Sequence, residues 1–318
     1  MTGVTPLYLK NRSLHIVLMV SLFAFTPVAN AQEVSVPIFR TQPLLTIQHN
    51  FRQPSDVVVG NNKKVYVLDG VNNKIKVFNL QGTYLFSFGG TGKGKGKFNF
   101  PLGIGIDKND RIYVADSGNH RVQIFTSDGA YLSQFSTNTD KGKPSDPTDV
   151  VVNSKLKTCY VVDNDNHRII LYDMKKNAII NTRGTMGMEK KEFRFPFLID
   201  IDKEGNLYIV EVINARVKVL DPEGNYVTNI GGWGVEKGEF YRPKGVAIDS
   251  KDRVFVSDSY LGVIQVFDQD GKFLSVLGDN KGNILKFETP TGLFIDKKMR
   301  LYVVEMIADK VSVMRLKD

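Results

Sequence analysis

Acidic and basic side chains recur in this chain at a fixed spacing. Five acids are each followed five residues later by a base: Asp69/Lys74, Asp116/Arg121, Asp163/Arg168, Glu211/Arg216 and Glu305/Lys310. A sixth acid, Asp258, faces Val263 and lacks a partner. Such an acid can accept hydrogen bonds from turn amides while pairing with the base that opens the next strand. The pattern reads as a structural brace, with no catalytic residue among its members. Metal chemistry is the sharper alternative. Zinc would favour histidine, and His49, His120 and His167 are the candidates, the last two at matched turn positions. Asp56, Asp149 and Asp200 could contribute to a weak calcium site, although calcium takes six to eight oxygens. The chain has no GxSxG elbow, no P-loop and no dinucleotide fingerprint. Its one cysteine, Cys159, stands where the equivalent positions hold Val65, Ile112, Leu207, Val254 and Leu301, which marks it as a core residue.

The elements that must position these residues are short strands. In residues 111–125, RIYVADSGNHRVQIF, β-formers lead into a polar turn, and a second run then alternates with period two. The unit occurs six times, and each copy opens at a proline: Pro54, Pro101, Pro147, Pro196, Pro243 and Pro290. A period of this length filled with short strands indicates a propeller or a solenoid. In the second repeat the strands are expected at 103–107, 112–115, 122–126 and 131–135, with tight turns such as Ser127-Asp128-Gly129 between them. The third and fifth residues after each proline are aliphatic, as in Ile104/Ile106 and Val246/Ile248, and the fourth is usually small, with Asp200 and Phe294 as exceptions. Phe51, Phe98, Phe193, Phe240 and Phe287 stand three residues before their prolines and suit packing between repeats. The last repeat stops after its third strand, VSVMRL. A spare strand, PLLTI (43–47), precedes the first proline. Pairing the two would close a ring and remove a sheet edge.

Taken together, Asn119-His120-Arg121, Asn166-His167-Arg168, the glycine-rich approach Phe98-Asn99-Phe100-Pro101-Leu102-Gly103-Ile104 and the run Tyr113-Val114-Ala115-Asp116 resemble the NHL-repeat family. The resemblance covers about residues 43–318. It implies an all-β, six-bladed β-propeller with four antiparallel strands per blade. The fifth repeat departs from the motif with Leu261-Gly262-Val263, and the sixth with Ala308-Asp309-Lys310. Some related propellers are metal-dependent lyases or lactonases whose ligands converge on the central opening. In a propeller the inter-blade connections and the turns between second and third strands share one face. That face would carry Lys93, Lys95, Lys97, Lys141, Lys143, Arg183, Lys190, Lys191, Arg194, Lys237, Arg242, Lys244, Lys281, Lys286 and the single tryptophan, Trp233. Lysines on glycine-rich loops would steer an acidic partner, and Trp233 would anchor it.

The net charge is +8, and two of those charges, Lys10 and Arg12, lie in residues 1–31. Lys10, Arg12 and His15 precede an apolar run from Ile16 to Phe25, and Ala29-Asn30-Ala31 follows as an A-x-A pattern. This reads as a secretory signal peptide, 1–31, cleaved after Ala31. The run is too short for a transmembrane helix. Residues 32–42 would be a short linker and 43–318 the propeller. The expected protein is periplasmic or secreted, monomeric and without a cofactor or resident metal. It would be a non-catalytic module that binds another protein. The alternatives are a divalent-metal-dependent hydrolase or lyase, and binding of an anionic polysaccharide. Nucleic acid is disfavoured as a partner by the export signal despite the basic charge.

Overall fold

The structure is a computed structural model that describes residues 36–139 and 144–317. The signal peptide expected at 1–31, together with Lys141 and Lys143, lies outside the described residues. Strand β1, Ile38–Ile47, precedes the repeats. The first repeat holds β2 (Pro54–Val59), β3 (Lys64–Asp69), β4 (Lys74–Asn79) and β5 (Tyr84–Gly89). The second holds β6 (Pro101–Ile106), β7 (Ile112–Asp116), β8 (Arg121–Phe125) and β9 (Tyr131–Ser136). In the third are β10 (Pro147–Asn153), β11 (Thr158–Asp163), β12 (Arg168–Asp173) and β13 (Ala178–Arg183). The fourth contributes β14 (Pro196–Ile201), β15 (Leu207–Glu211), β16 (Arg216–Leu220) and β17 (Tyr226–Ile230). The fifth contributes β18 (Pro243–Ile248), β19 (Val254–Asp258), β20 (Val263–Phe267) and β21 (Phe273–Gly278), and the sixth β22 (Pro290–Ile295), β23 (Arg300–Glu305) and β24 (Lys310–Leu316). The only helical element among the described residues is a 3-10 turn at Ser117–Asn119.

Each of the first four repeats is a four-stranded antiparallel sheet in chain order. The fifth and sixth join in one eight-stranded sheet, β18-β19-β20-β21-β1-β24-β23-β22. The seam is β1. Its second half pairs antiparallel with β24, from Thr41↔Leu316 to Ile47↔Val311, and supplies the fourth strand that the sixth repeat lacks. Its first half, Ile38 to Arg40, runs parallel to Val276–Gly278 of β21. The strand thus begins at Ile38, inside the stretch expected to be a linker, and it serves two repeats where one was expected. The opening strands contact one another in sequence, β2 with β6, then β10, β14, β18 and β22, and β22 returns to β2. This is the arrangement of a β-propeller.

Apolar side chains between adjacent sheets form the core. The second residue of the apolar run in each second strand is a large aromatic: Tyr66, Tyr113, Tyr160, Tyr208, Phe255 and Tyr302, all fully buried. Burial of such a side chain contributes roughly 1.5–3 kcal/mol. The tyrosines also tie repeats together, because Tyr66 Oη donates to Ser127 O (2.9 Å) and Tyr160 Oη to Pro222 O (2.8 Å), each in the following repeat's hairpin. The five phenylalanines that precede the prolines are buried as wedges, as expected. Cys159 is fully buried, and burial pushes its thiol up to about 12.

Candidate functional site

The turn between second and third strands is built the same way in every repeat. The acid that closes the second strand accepts the backbone N–H of the residue seventeen positions earlier: Arg52 to Asp69, Asn99 to Asp116, Asp146 to Asp163, Arg194 to Glu211, Tyr241 to Asp258 and Glu288 to Glu305. Where asparagine stands three residues after the acid, its amide donates to that carboxylate, as with Asn72, Asn119, Asn166 and Asn214. The next residue is in the left-handed region in every repeat: Asn73, His120, His167, Ala215, Gly262 and Asp309. His120 and His167 are therefore turn residues. Gly262 meets the same demand without strain, which accounts for the altered motif in the fifth repeat.

Arg121 Nε lies 2.7 Å from Asp116, Arg168 Nε 2.8 Å from Asp163, Arg216 Nε 2.5 Å from Glu211 and Lys310 Nζ 3.5 Å from Glu305. The first repeat requires a correction. Asp69 pairs with Lys76 (2.8 Å), and Lys74, which opens the same strand, is exposed. Lys76 reaches the acid from two residues further on, as Gln123 reaches Asp116 and Lys218 lies 3.8 Å from Glu211, and Gln265 holds the same position in the fifth repeat. These side chains also donate to carbonyls of the preceding connection: Lys76 to His49 O and Asn50 O, Gln123 to Lys97 O, Lys218 to Glu189 O, and Gln265 to Glu239 O. Lys218 is fully buried, and desolvation lowers it to about 8. Asp258 has no base, and four backbone N–H groups satisfy it, from Tyr241, Arg242, Tyr260 and Leu261.

Asp56, Asp149 and Asp200 meet at the central axis. They line a cavity of about 80 Å³ walled by the opening strands of all six repeats. Each carboxylate accepts the next N–H of its own strand and one N–H of the following repeat's opening strand: Ile104 for Asp56, Ile199 for Asp149 and Ile248 for Asp200. The neighbouring backbone makes room for two of them at glycine, since a Cβ on Gly103 or Gly292 would come within 2.3 Å of Asp149 or Asp56. Burial is the main cause that raises all three, Asp56 and Asp200 to about 7. His49 stacks on Tyr84 (4.0 Å between rings), His120 Nδ1 contacts Ser145 O, and His167 Nδ1 accepts from Phe195 N–H, so the histidines serve three separate repeats. Among the described residues no group of three His, Cys, Asp or Glu side chains is placed to hold a metal ion.

The connections tell a different story. Those entering the second, fourth and fifth repeats share one shape. Phe98, Phe193 and Phe240 are buried anchors that bridge in parallel to Thr91, Met186 and Trp233. With the ring of the anchor in the core, the residue that bridges to it and the residue two further on are carried by the loop. Met186, Met188, Trp233 and Val235 accordingly stand exposed, Trp233 at 73%. Phe100 and Phe195, just past two of the anchors, have positive φ and are also exposed. Tyr241 links Trp233 (6.4 Å) to Tyr260 (4.2 Å), which lies on the fifth repeat's turn and is 64% exposed. Hydrogen bonds such as Asn119 Nδ2 to Gly92 O and Asn214 Nδ2 to Gly187 O join turns to connections, so all these groups occupy one face. The basic residues of the same loops are arranged differently from one another. Lys93 and Lys191 are exposed, Lys97 Nζ donates to Gly89 O, Lys95 lies over Tyr131 (5.8 Å) and Lys190 over Tyr226 (5.3 Å). Arg194 and Lys237 flank the exposed apolar residues in their loops, and Arg242 follows Tyr241. Sequence reasoning selected Trp233 and the bases but missed Phe100, Met186, Met188, Val235 and Tyr260. The alignment of the three connections, which puts Met186 at the position of Trp233, was the signal available.

The NHL repeat family model matches residues 51–78 and 98–125. No curated relative matches the sequence. A streptogramin B lyase structure is similar, with a TM-score of 0.63 at 15% identity over 87% of this chain and 98% of that one. A catalytically inactive virginiamycin B lyase from Staphylococcus aureus with quinupristin gives 0.61 at 16% identity over 85% and 82%. A protein of unknown function from Bacteroides thetaiotaomicron gives 0.66 at 14% over 89% and 73%. At these identities the likeness is one of fold.

Proposed function

We propose that this chain is an exported, six-bladed NHL-type propeller that binds an acidic protein through the face formed by its connections and second-to-third-strand turns, and that it does no chemistry there. The eight-stranded sheet counts as two blades joined through β1. The observation that carries the reading is the exposure of Phe100, Met186, Met188, Trp233, Val235 and Tyr260 on that one face. Large apolar groups gathered on one surface and flanked by polar ones mark an interaction site, and tryptophan and tyrosine are the commonest anchors. The loop lysines and the net charge, +8 in all with two of the charges in residues 1–31, favour an acidic partner. The alternative of a metal-dependent hydrolase or lyase calls for donors that converge on one point. In this chain the three histidines are spread over separate repeats, and the channel carboxylates are occupied with backbone N–H groups.

Comparative affinity capture from an extracytoplasmic extract tests the proposal. Wild type, Trp233→Ala and a Lys93/Lys95/Lys97→Ser variant would be used as baits. A specific, salt-sensitive acidic protein that is retained by the wild type and lost by both variants is expected. Retention of the same partner by both variants would move the site off this face. Export is checked by N-terminal sequencing of the mature protein, with Gln32 expected as the first residue.

A further inference from the structure

In the outermost strand of each repeat, one position faces the hairpin of the next repeat. Ile47, Phe88, Phe135 and Ile230 occupy it, paired with Val311, Ile75, Val122 and Val217. Leu277 is the counterpart in the fifth repeat. These side chains are apolar, and all but the half-buried Phe88 are buried. They fill the outer cleft between adjacent repeats, and the next hairpin packs on them, as Gly129 does on Phe88. In the third repeat the position belongs to Arg183, paired with Ile169. Gly224 of the following hairpin packs on its stem, since a Cβ there would come within 2.8 Å of Arg183 Cγ. The stem is thus held in place, but a guanidinium cannot seal the cleft as a phenyl or isobutyl group does.

The result is an open cavity of about 550 Å³, a size suited to a small ligand. Arg183, Lys190 and Lys191 supply its charge, and Phe193, Leu220 and Tyr226 its apolar wall. No acid lines it. Two acids of the adjoining loops are turned to their own backbone: Glu192 accepts from the Glu189 N–H, and Asp221 from Glu223 and Asn225. Among the described residues none of the three cations has a carboxylate at ion-pair distance. Three cations without a carboxylate partner beside an aromatic ring, in an open cleft between two repeats, are the elements of anion recognition. The guanidinium fork suits a bidentate grip on an oxyanion, and lysines add point charge.

We propose that the cleft between the third and fourth repeats binds a small organic oxyanion, a phosphate, sulfate or carboxylate carried on a ring of about sugar size. Arg183 holds the anionic group, Lys190 and Lys191 complete its neutralisation, and the ring lies against Tyr226. The cleft shares the connection of Lys190 and Lys191 with the apolar face described above, but it binds through Arg183 and does not depend on that reading.

Calorimetric titration with glucose 6-phosphate, glucose 6-sulfate and glucuronate, with glucose as the neutral control, tests it on the full mature chain. Saturable, salt-sensitive binding of at least one anion is expected, about tenfold or more tighter than glucose. The anion that binds best identifies the head group. Arg183→Leu restores the apolar filler of the other repeats, so it should fold with an unchanged or higher Tm and lose binding by about tenfold or more. Lys190→Gln with Lys191→Gln should weaken binding and flatten its salt dependence, whereas Trp233→Ala should bind the anion as wild type does. No saturable binding of any of the three anions, equal binding of glucose, or undiminished binding by Arg183→Leu would overturn the proposal.

Discussion

At the level of single residues, the acid of each turn holds a strand end, a preceding connection and a base together. Arg121 is the fullest example. Its side chain is 9% exposed and Asp116 is fully buried, and beyond that carboxylate it donates to Gln134 Oε1, Gly94 O and Lys97 O. Arg121→Ala leaves a buried carboxylate and two loop carbonyls short of a donor, so a loss of roughly 3–5 kcal/mol is expected in chemical denaturation. In the first repeat the same loss should follow Lys76→Ala, while Lys74→Ala should change stability by less than about 0.5 kcal/mol. Equal effects of those two variants would contradict the pairing of Asp69 with Lys76. The channel carboxylates add a pH dependence. Asp56 and Asp200 sit at about 7 in the folded chain, against about 3.9 when unfolded. Between these values the folded state binds more protons, so stability falls as pH rises, by up to about 1.4 kcal/mol per pH unit for each group. The contribution is fully present below about pH 4 and lost above about 7. Melting temperature should therefore rise from pH 8 to pH 5, and a flat or opposite profile would show these acids ionised in the fold.

At the level of elements, β1 decides the integrity of the ring. It gives the sixth repeat its fourth strand and extends the fifth through Ile38–Arg40. Ile47 is buried between the sixth and first repeats, and Thr41 Oγ1 donates to Gly278 O. Deleting residues 32–47 would expose β24 as an edge and open a cavity beside Val313 and Phe78. A fall in Tm of roughly 10 °C or more is expected. An unchanged Tm would mean that the ring closes without this strand. The fifth repeat offers the opposite experiment. Val263 stands where a base is found elsewhere and borders a cavity of about 180 Å³. Val263→Arg can extend into it toward Asp258, so denaturation should show a neutral or mildly stabilising change.

Across the whole molecule, rigid sheets display loops, and the loops carry the chemistry of recognition. Charge on the loops should act on approach and Trp233 on release. Replacing Lys93, Lys95 and Lys97 together by Ser should slow association and flatten its salt dependence, since exposed charges act over a screened distance of about 8 Å at physiological ionic strength. Trp233→Ala should speed dissociation and cost about 2 kcal/mol or more of affinity with little change in Tm, because the side chain stands exposed. Surface-resonance kinetics on the captured partner separate the two effects. If Trp233→Ala unfolds the chain, the residue belongs to the core.

The repeat, its strands, the need for a closing N-terminal strand and most of the acid–base pairs are legible in the residues. Period-two alternation, turn chemistry and a proline at each opening are local signals, and sixfold recurrence reinforces them. The first half of β1 was not legible, because Ile38-Phe39-Arg40 acquires a pairing partner only when the fifth repeat lies beside it. The exchange of Lys74 for Lys76 was hidden for a related reason. Lys74 and Lys76 are two residues apart in the strand and so share a face, and the spacing of five holds in four other repeats, so only the packed turn shows which lysine reaches Asp69. Met186, Met188 and Val235 look like core in a linear reading. They are exposed because the buried phenylalanine of each connection fixes the direction of the loop. Arg183 reads in the sequence as one more base of the loop face, and its place in a cleft shows only when its counterparts in the other repeats are seen to be side chains that fill a gap between sheets, a gap that exists only in the assembled ring.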